Sequence, residues 1–309
     1  MSTSTSPSLP SRALGHISTA LTIGMHVACL IGFLVPLTRL AAGLAIGGYI
    51  VRMWGITAGY HRYFSHRSFK TSRAFQLVLA LIGASAMENG PLWWASWHRR
   101  HHKHSDQPQD AHSPVRRGFW HSHMGWFLFG GAESPDLSNV RDLSRYPELR
   151  WVEKYKWVPL VGYAVGCFAI AGLPGLIWGF VISTVAVLQA TMLINSLAHV
   201  VGTRRFPTSD QSRNNPLLAL LTLGEGWHNN HHHEMSSARQ GVAWWELDVS
   251  YYVLWCLERL GVIWDLRTHA SIAARRANRT RAEARDGQGS PLTAAVRLGE
   301  PEVGPTPAE

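Results

Sequence analysis

Charge is scarce in this chain. Asp, Glu, Lys and Arg make up 16% of its 309 residues and hydrophobic residues 46%. Soluble domains carry about 25% charged residues, so the deficit points to a membrane protein. Cysteine is scarcer still. Cys29, Cys167 and Cys256 stand singly in apolar stretches. That excludes a disulfide framework or a zinc ribbon and leaves three small buried hydrophobes. The opening MSTSTSPSLPSR has no basic segment running into an apolar core with a cleavage site, so it does not read as a secretory signal. No nucleic-acid motif accompanies the net charge of +9, and no internal repeat is visible.

Tryptophan, by contrast, is abundant at 14 residues. Its ring is apolar and its N–H stays wet, which suits a membrane–water interface. Much of the basic excess lies in Arg73, Arg99, Arg100, Arg116 and Arg117 and in the tail 275–285. Cytoplasmic loops of membrane proteins carry such an excess. An anionic head group or an acidic electron carrier would also be drawn to it.

Long apolar segments run over about 17–37, 40–60, 152–171 and 175–197, the last two joined by Gly172-Leu173-Pro174-Gly175. A spanning helix needs about 20 apolar residues. The run at about 74–87 is shorter and is followed by Glu88-Asn89-Gly90-Pro91. It reads as an interfacial helix. Four spans place every histidine cluster and both termini on one side, and the basic residues make that side the cytoplasm. The expected fold is an all-α integral membrane domain over 13–270: four transmembrane helices, one interfacial helix and a cytoplasmic helical cap. Residues 1–12 are expected to be disordered. The tail 271–309 is basic, a surface helix over 271–286, then Gly/Pro-rich and disordered.

The cap carries the chemistry. The pieces HRYFSH, HRRHH, NSLAH and HNNHH sit at the ends of apolar segments. His98, His101 and His102 stand at i, i+3, i+4 and share one helix face, as do His228, His231 and His232. Asn195 and His199 are at i, i+4. His61 and His66 are five apart and converge only if the helix ends or unwinds just after His61. With His199 these make nine imidazoles, enough for two metal ions with four or five ligands each. Imidazole suits iron, zinc and copper. Asn195 can hold a metal-bound water, and Asp106, Asp110, Glu225 and Glu246 can orient imidazole N–H groups. The spacing leaves the division of the nine between the ions open. The remaining histidines, His112 among them, read as surface or structural residues, with His123 the best exception. A histidine-rich metal transporter is the competing reading, but transporters place ligands near the bilayer midplane, and these clusters lie at the span ends.

The pieces GITAGYHRYFSHRSFKTSR, HRRHHKHSD, RRGFWHSHMGW, NSLAHVVGTR and GEGWHNNHH resemble the membrane fatty-acid desaturases, close to the Δ9 (stearoyl-CoA-type) branch. The later SARQGVAWWELDVSYYVLWCLERLGVIWDLR is similar to the bacterial form. The resemblance covers roughly 43–267. It implies two iron ions, O2 as co-substrate, and removal of two hydrogens from a saturated fatty acyl chain to leave a cis double bond. It implies metal ligands at His61, His66, His98, His101, His102, His199, His228, His231 and His232, with Asn195 acting through water. A hydroxylase or monooxygenase on the same scaffold is the alternative chemistry. The resemblance also implies a bent substrate tunnel with Glu88, Trp94 and Thr191 at the bend, and Ala45 and Tyr49 near its closed end. The family has glutamine where Glu88 stands. Vertebrate acyl-CoA members carry a basic pair after Gly-Trp and an Arg-Asp before the HxxHH box. Here Gly125-Trp126 leads into 127–133 without Lys or Arg, and the box follows Ser96-Trp97. An acyl-lipid or a differently docked acyl-CoA therefore stays open. No fused haem domain is visible, so a separate donor of the ferredoxin, rubredoxin or cytochrome b5 type, with its reductase, is implied.

Overall fold

A computed structural model describes residues 9–130 and 134–287. The expected disorder at 1–8 and 288–309, and the segment 131–133, lie outside the described residues. The chain divides into two compact units at Arg267 and Thr268. The second unit shows one helix over His269–Gly287, and the first carries everything else described below.

Besides its helices and loops, the first unit pairs Lys70–Thr71 (β1) with Ile263–Trp264 (β2), antiparallel with Lys70 opposite Trp264, and has isolated antiparallel bridges at Thr203–Asn214 and Asn214–Trp227. Helix α1 spans Leu9–Ala28 and tightens into a 3-10 turn over Cys29–Leu34. It begins inside the stretch expected to be disordered. Helix α2 spans Arg39–Trp54 and widens into a π-helix over Gly55–Ser65. Its first turn is capped by Thr38, whose hydroxyl accepts from Ala41 N at 3.1 Å. Helix α3, Arg73–Ala84, is capped in the same way by Ser72 on Phe75 N at 3.2 Å. Helix α4, Pro91–His104, carries the central histidine box.

Short helices α5 (Pro114–Arg117), α6 (Trp126–Gly130), α7 (Arg141–Ser144) and α8 (Pro147–Lys154) cross the cap. Glu153 on α8 fixes the start of α4: its carboxylate accepts from Leu92 N at 2.9 Å and Trp93 N at 3.0 Å. A carboxylate on free N–H groups at a helix start is favoured by both hydrogen bonding and the helix dipole. Gly90 is needed there, because a Cβ would run into that carboxylate.

A continuous helical stretch of 43 residues, Trp157–His199, is apolar enough to cross a membrane, as is Arg39–Ser65. The long stretch is not straight. Helix α9, Trp157–Pro174, breaks at Ala171 and at Gly172, whose φ of +59° is a left-handed conformation glycine tolerates. The Tyr163 hydroxyl donates to Gly179 O at 2.9 Å. Sixteen residues of straight helix would separate these groups by about 24 Å. The chain therefore reverses at Gly172-Leu173-Pro174-Gly175 and returns as a π-helix over Gly175–Ile182, then as α10, Ser183–Ser196. The outer faces of these helices are apolar: Phe33, Leu34, Ile46, Val165 and Phe168 are all exposed, as a lipid-facing surface requires.

The main core lies where the π-segment of α2 meets α3, α4 and α8. Tyr60, Phe64, Leu79, Leu92, Leu149 and Val152 are buried there together. Each such side chain contributes about 1.5–3 kcal/mol of burial, so the histidine-bearing ends of α2 and α4 rest on a firm base. The second cap region adds α11 (Pro216–Leu221), α12 (His228–His233) and α13 (Val249–Arg259). Helix α12 has only six residues, too few to stand alone. It is held by Asn214, whose side-chain oxygen accepts from Asn229 N at 3.0 Å and Asn230 N at 3.1 Å.

Candidate metal centre and substrate cavity

The π-helix solves the five-residue spacing of the first cluster. His66 N donates to His61 O at 3.2 Å, an i→i+5 bond. A π-turn places residues five apart one above the other. The helix therefore widens through His61 instead of ending there, which corrects the sequence expectation of unwinding.

The nine histidines fall into two sets. His61, His66, His98, His102 and His231 bring ligand nitrogens within 4.8 Å of one another, and so do His101, His199, His228 and His232. The two HxxHH boxes are each split. On an ideal helix His98 and His102 are about 40° apart, while His101 lies about 100° from His102. The outer pair of one box serves the first set and its odd histidine the second. In α12 the roles are exchanged: His228 and His232 join the second set and His231 the first.

The spacings within the sets are short. Nε2–Nε2 distances are 3.0 Å for His61–His231, 2.8 Å for His66–His98, and 3.0 Å for His98–His102, His102–His231 and His199–His228. A metal–imidazole bond is about 2.0–2.1 Å. Ligands at right angles around one ion are then about 2.9 Å apart, and tetrahedral ligands about 3.4 Å. The first set has the spacing of right-angle ligation.

Carboxylates set the tautomers. His61 Nδ1 pairs with Glu225, His101 Nδ1 with Asp110 at 3.1 Å, His199 Nδ1 with Asp106 at 3.0 Å and His232 Nδ1 with Asp210 at 2.6 Å. A carboxylate only accepts, so each Nδ1 bears the proton and each Nε2 turns a lone pair inward. His228 Nδ1, His231 Nδ1 and His232 Nε2 are buried with no hydrogen-bond partner among the described residues. His231 Nε2 meets both His61 Nε2 and His102 Nε2, and one proton cannot satisfy both. A cation among the inward lone pairs removes the conflict.

Burial, and then the proximity of other histidines, pushes His66, His98, His102, His228 and His231 well below the usual histidine range. Burial likewise takes His232 down to about 4, against the pull of Asp210. These rings are neutral at physiological pH, as ligation requires. The carboxylates go the other way. Burial alone would raise Asp106, and the His199 hydrogen bond and charge outweigh it, bringing it down to about 2. Asp110, Asp210 and Glu225 are also held low, despite burial, by His101, His232 and His61 respectively.

Of the carboxylates expected to orient imidazoles, Glu246 does something else. It accepts from Asn230 Nδ2 at 3.0 Å and from Val242 N and Ala243 N, and so anchors α12. Asp210 takes a place that the sequence did not single out, because it lies far from any box and only the fold brings it to His232. His112 was also missed. It is buried, its ring is 4.4 Å from that of His101, and it forms a third potential ligand group with His101 and Asp110. His123 is no ligand in any of these groups; it bonds Ser196 at 3.1 Å and Gln189 at 2.8 Å.

Two cavities adjoin the histidines. The inner one is lined by Met53, Ile56, Thr57 and Thr222 and by His61 and His98. The outer one is lined by Glu88, Trp93, Trp97, Trp126 and Phe127. Trp94, Thr191, His98 and Asn195 border both. Trp94 stacks on His98 with ring centres 4.8 Å apart, and its Nε1 donates to Glu88 Oε2 at 3.0 Å. Burial raises Glu88 to about 7, with the Thr191 and Trp94 hydrogen bonds opposing. Asn195 is positioned by Ser122, whose hydroxyl donates to its carbonyl at 2.7 Å. Ala45 and Tyr49 line neither cavity. Tyr49 stands one turn behind Met53, its hydroxyl donating to Leu221 O at 2.6 Å. The inner wall is Met53, which the sequence reading did not single out.

The family model for fatty acid desaturases matches residues 35–255. The chain belongs to that family. It is 35% identical over 265 residues to a hex-5-enoyl-[acyl-carrier protein] acetylenase of Moorena producens, covering 80% of this chain and 83% of that protein. It is 37% identical to an acyl-CoA 5-desaturase of Anemone leveillei over 82% of this chain and 79% of the relative. It is 33% identical to an sn-1 stearoyl-lipid 9-desaturase of Anabaena variabilis over 86% and 97%. The protein is thus a membrane-associated oxidoreductase of lipid metabolism with histidine groups able to hold metal.

Proposed function

We propose that the chain introduces a cis double bond, at Δ9, into a saturated fatty acyl chain, using O2 and two iron ions. The observation that carries this reading is the pair of histidine sets beside two cavities that share Trp94, Thr191, His98 and Asn195 on their walls. His61, His66, His98, His102 and His231 would hold one ion, and His101, His199, His228 and His232 the other, with Asn195 holding a water beside the second. The right-angle spacing of the first set favours iron over tetrahedral zinc. When bound, the ions supply the oxidation: the chain loses two hydrogens, and O2 takes these with two electrons and two protons to form two waters.

The protein's own residues do the rest. Trp94 and Thr191 bend the acyl chain at the junction of the two cavities and hold one C–C bond against the histidines. Glu88 fixes Trp94. Tyr49 closes the inner end behind Met53, with Ala45 a turn further back. An acyl chain filling the two cavities would exclude water from the reaction. Four helical crossings, two of them the halves of the hairpin at Gly172, would seat the domain 13–270 in the bilayer. Helix α3 would lie in the interface and the histidines would face the cytoplasm. Electrons would come from a separate ferredoxin, rubredoxin or cytochrome b5-type donor and its reductase.

The test is expression in a host unable to make unsaturated fatty acids, followed by mass spectrometry of total fatty acids. A new monounsaturated acid with its bond at carbon 9 is expected. A hydroxylated product, or none despite iron-loaded protein and a supplied donor, overturns the reading.

A further inference from the structure

The second cap region carries a surface that contact with water does not explain. In α11 and its C-terminal flank, residues 216–223, every exposed residue is apolar: Pro216, Leu217, Leu220 and Leu221. The stretch 241–250 follows the same rule with Val242, Trp244, Trp245, Leu247 and Val249. Leu220 is 68% exposed and Trp244 86%. The two acids of that stretch, Glu246 and Asp248, are turned inward and buried. A water-facing loop shows its charges, whereas this one hides them and shows its indoles. Glu246 accepts from Val242 N at 2.7 Å and Ala243 N at 2.9 Å, and Asp248 from Tyr251 N at 3.0 Å. Leu247 O accepts from Trp227 Nε1 at 2.8 Å, and Asn215 caps α11 by accepting from Leu218 N at 3.2 Å. These backbone groups are satisfied from within the protein, which hydrocarbon demands and water does not.

The two stretches are joined. Ser250 N donates to Leu223 O at 2.9 Å. Trp227, whose ring centre is 5.6 Å from that of Trp245, follows Gly226, where a Cβ would strike Ala219 of α11. Both stretches are also fastened to α2. The Tyr49 hydroxyl donates to Leu221 O at 2.6 Å, and the Thr57 and Ser250 hydroxyls meet at 2.6 Å. Tyr49 lies eleven residues before Tyr60, roughly 15 Å back along the helix axis from the end that carries the histidines. At that level α2 turns Ile46, Ile50 and Val51 outward. Helix α11 is thus held beside α2 where the other outward neighbours of α2 are apolar.

We propose that α11 and the Trp244–Trp245 turn are seated in the cytoplasmic leaflet, α11 among the acyl chains and the two indoles at their boundary with the head groups. The partner of this surface is the lipid of that leaflet, because the surface continues the lipid-facing side of α2. The inference rests on α2 crossing the bilayer with its histidine end cytoplasmic, as proposed above. Indoles favour that boundary, where the ring is apolar and the N–H stays wet. The seat has a consequence for the site. Thr222, just past the end of α11, lines the inner cavity, so α11 stands as a wall between that cavity and the surrounding lipid.

The test places spin labels by Leu220→Cys and Trp244→Cys in the full chain, with Cys29, Cys167 and Cys256 replaced by alanine, in vesicles of phosphatidylcholine and phosphatidylglycerol. Labels at Ile46→Cys and Lys103→Cys serve as the lipid and water references. The ratio of oxygen to nickel-chelate collisions at Leu220→Cys should be several-fold higher than at Lys103→Cys and should approach that at Ile46→Cys, with Trp244→Cys between the two. A label at either position as open to the nickel chelate as that at Lys103→Cys overturns the inference. So does one that neither probe reaches, which would put another protein surface there. The Ile46→Cys label reads the crossing of α2 by itself: water access there refutes the crossing, while the other two labels still decide the seat. A second measurement needs no cysteine. The emission lost from wild type in W244F/W245F should be emission that bromine on the acyl chains of the vesicle lipid quenches and aqueous acrylamide does not. Quenching of that emission by acrylamide alone overturns the seat.

Discussion

His61 and His231 meet Nε2 to Nε2 at 3.0 Å across 170 residues of chain. Behind His61, Glu225 fixes the ring through Nδ1. Behind His231 no acceptor is present among the described residues. The pair makes sense as two ligands of one ion. Removing His231 therefore takes a ligand from the first set only, and removing His228 takes one from the second. His231→Ala and His228→Ala are each expected to lower iron from about two to about one per chain, with unsaturated product lost in both. Elemental analysis of purified protein checks this. Either variant keeping two ions would sink the proposed division.

Glu88 couples pH to stability. Burial lifts its carboxyl from 4.5 to about 7, against the Thr191 and Trp94 hydrogen bonds. A raised acid stabilises the fold fully below its unfolded value, and that stability is lost as pH rises through the folded value. Each unit is about 1.4 kcal/mol, so the loss is on the order of 3 kcal/mol between pH 4.5 and about 7. Glu88→Gln keeps an acceptor for Trp94 and carries no charge. Its melting temperature should fall less than wild type's over that interval. Parallel curves for the two proteins would refute the account.

The nine histidines, their helical faces and the apolar segments were legible in the sequence because all are local in the chain. Even the turn at Gly172–Gly175 announced itself by composition. What was not legible is what depends on rotation and long-range contact. The i, i+3, i+4 pattern says that His98, His101 and His102 share a face, but a 100° rotation within that face sends His101 to the other histidine set. The π-widening that joins His61 to His66 has no simple sequence mark. Asp210 and His112 enter the site only through folding of the cap. Met53, on the inner cavity wall, was not singled out; it stands at i, i+4 from Tyr49 on the same stripe of α2.

Arg62 ties the first histidine cluster to the second cap. It is 1% exposed and donates to Asp248 at 2.9 Å and Glu225 at 3.1 Å. Arg62→Met would leave two buried carboxylates facing each other without a cation. Breaking such a network costs about 3–5 kcal/mol, and at this size a fall of about 10 °C in melting temperature is expected. Glu225 also orients His61, so iron content should drop in the same variant. Thermal unfolding followed with iron analysis checks both. A variant as stable as wild type would show that the carboxylates are satisfied without Arg62.

On the proposed reading, Met53 would set how far an acyl chain can reach past the histidines. Its side chain is buried and walls the inner cavity with Ile56 and Thr57. Met53→Ala removes three side-chain heavy atoms, room for about two methylenes if the cavity does not collapse. The preferred acyl chain should lengthen accordingly, and Met53→Trp should shorten it. Tyr49→Ala should also lengthen it, but less, because Tyr49 stands behind Met53 and acts by bracing Leu221 beside Thr222 of the wall. Feeding a series of saturated chains and measuring the product profile by mass spectrometry separates the two positions. A larger shift for Tyr49→Ala than for Met53→Ala would place the end of the passage beyond Met53, and an unchanged profile in both would place it elsewhere in the molecule.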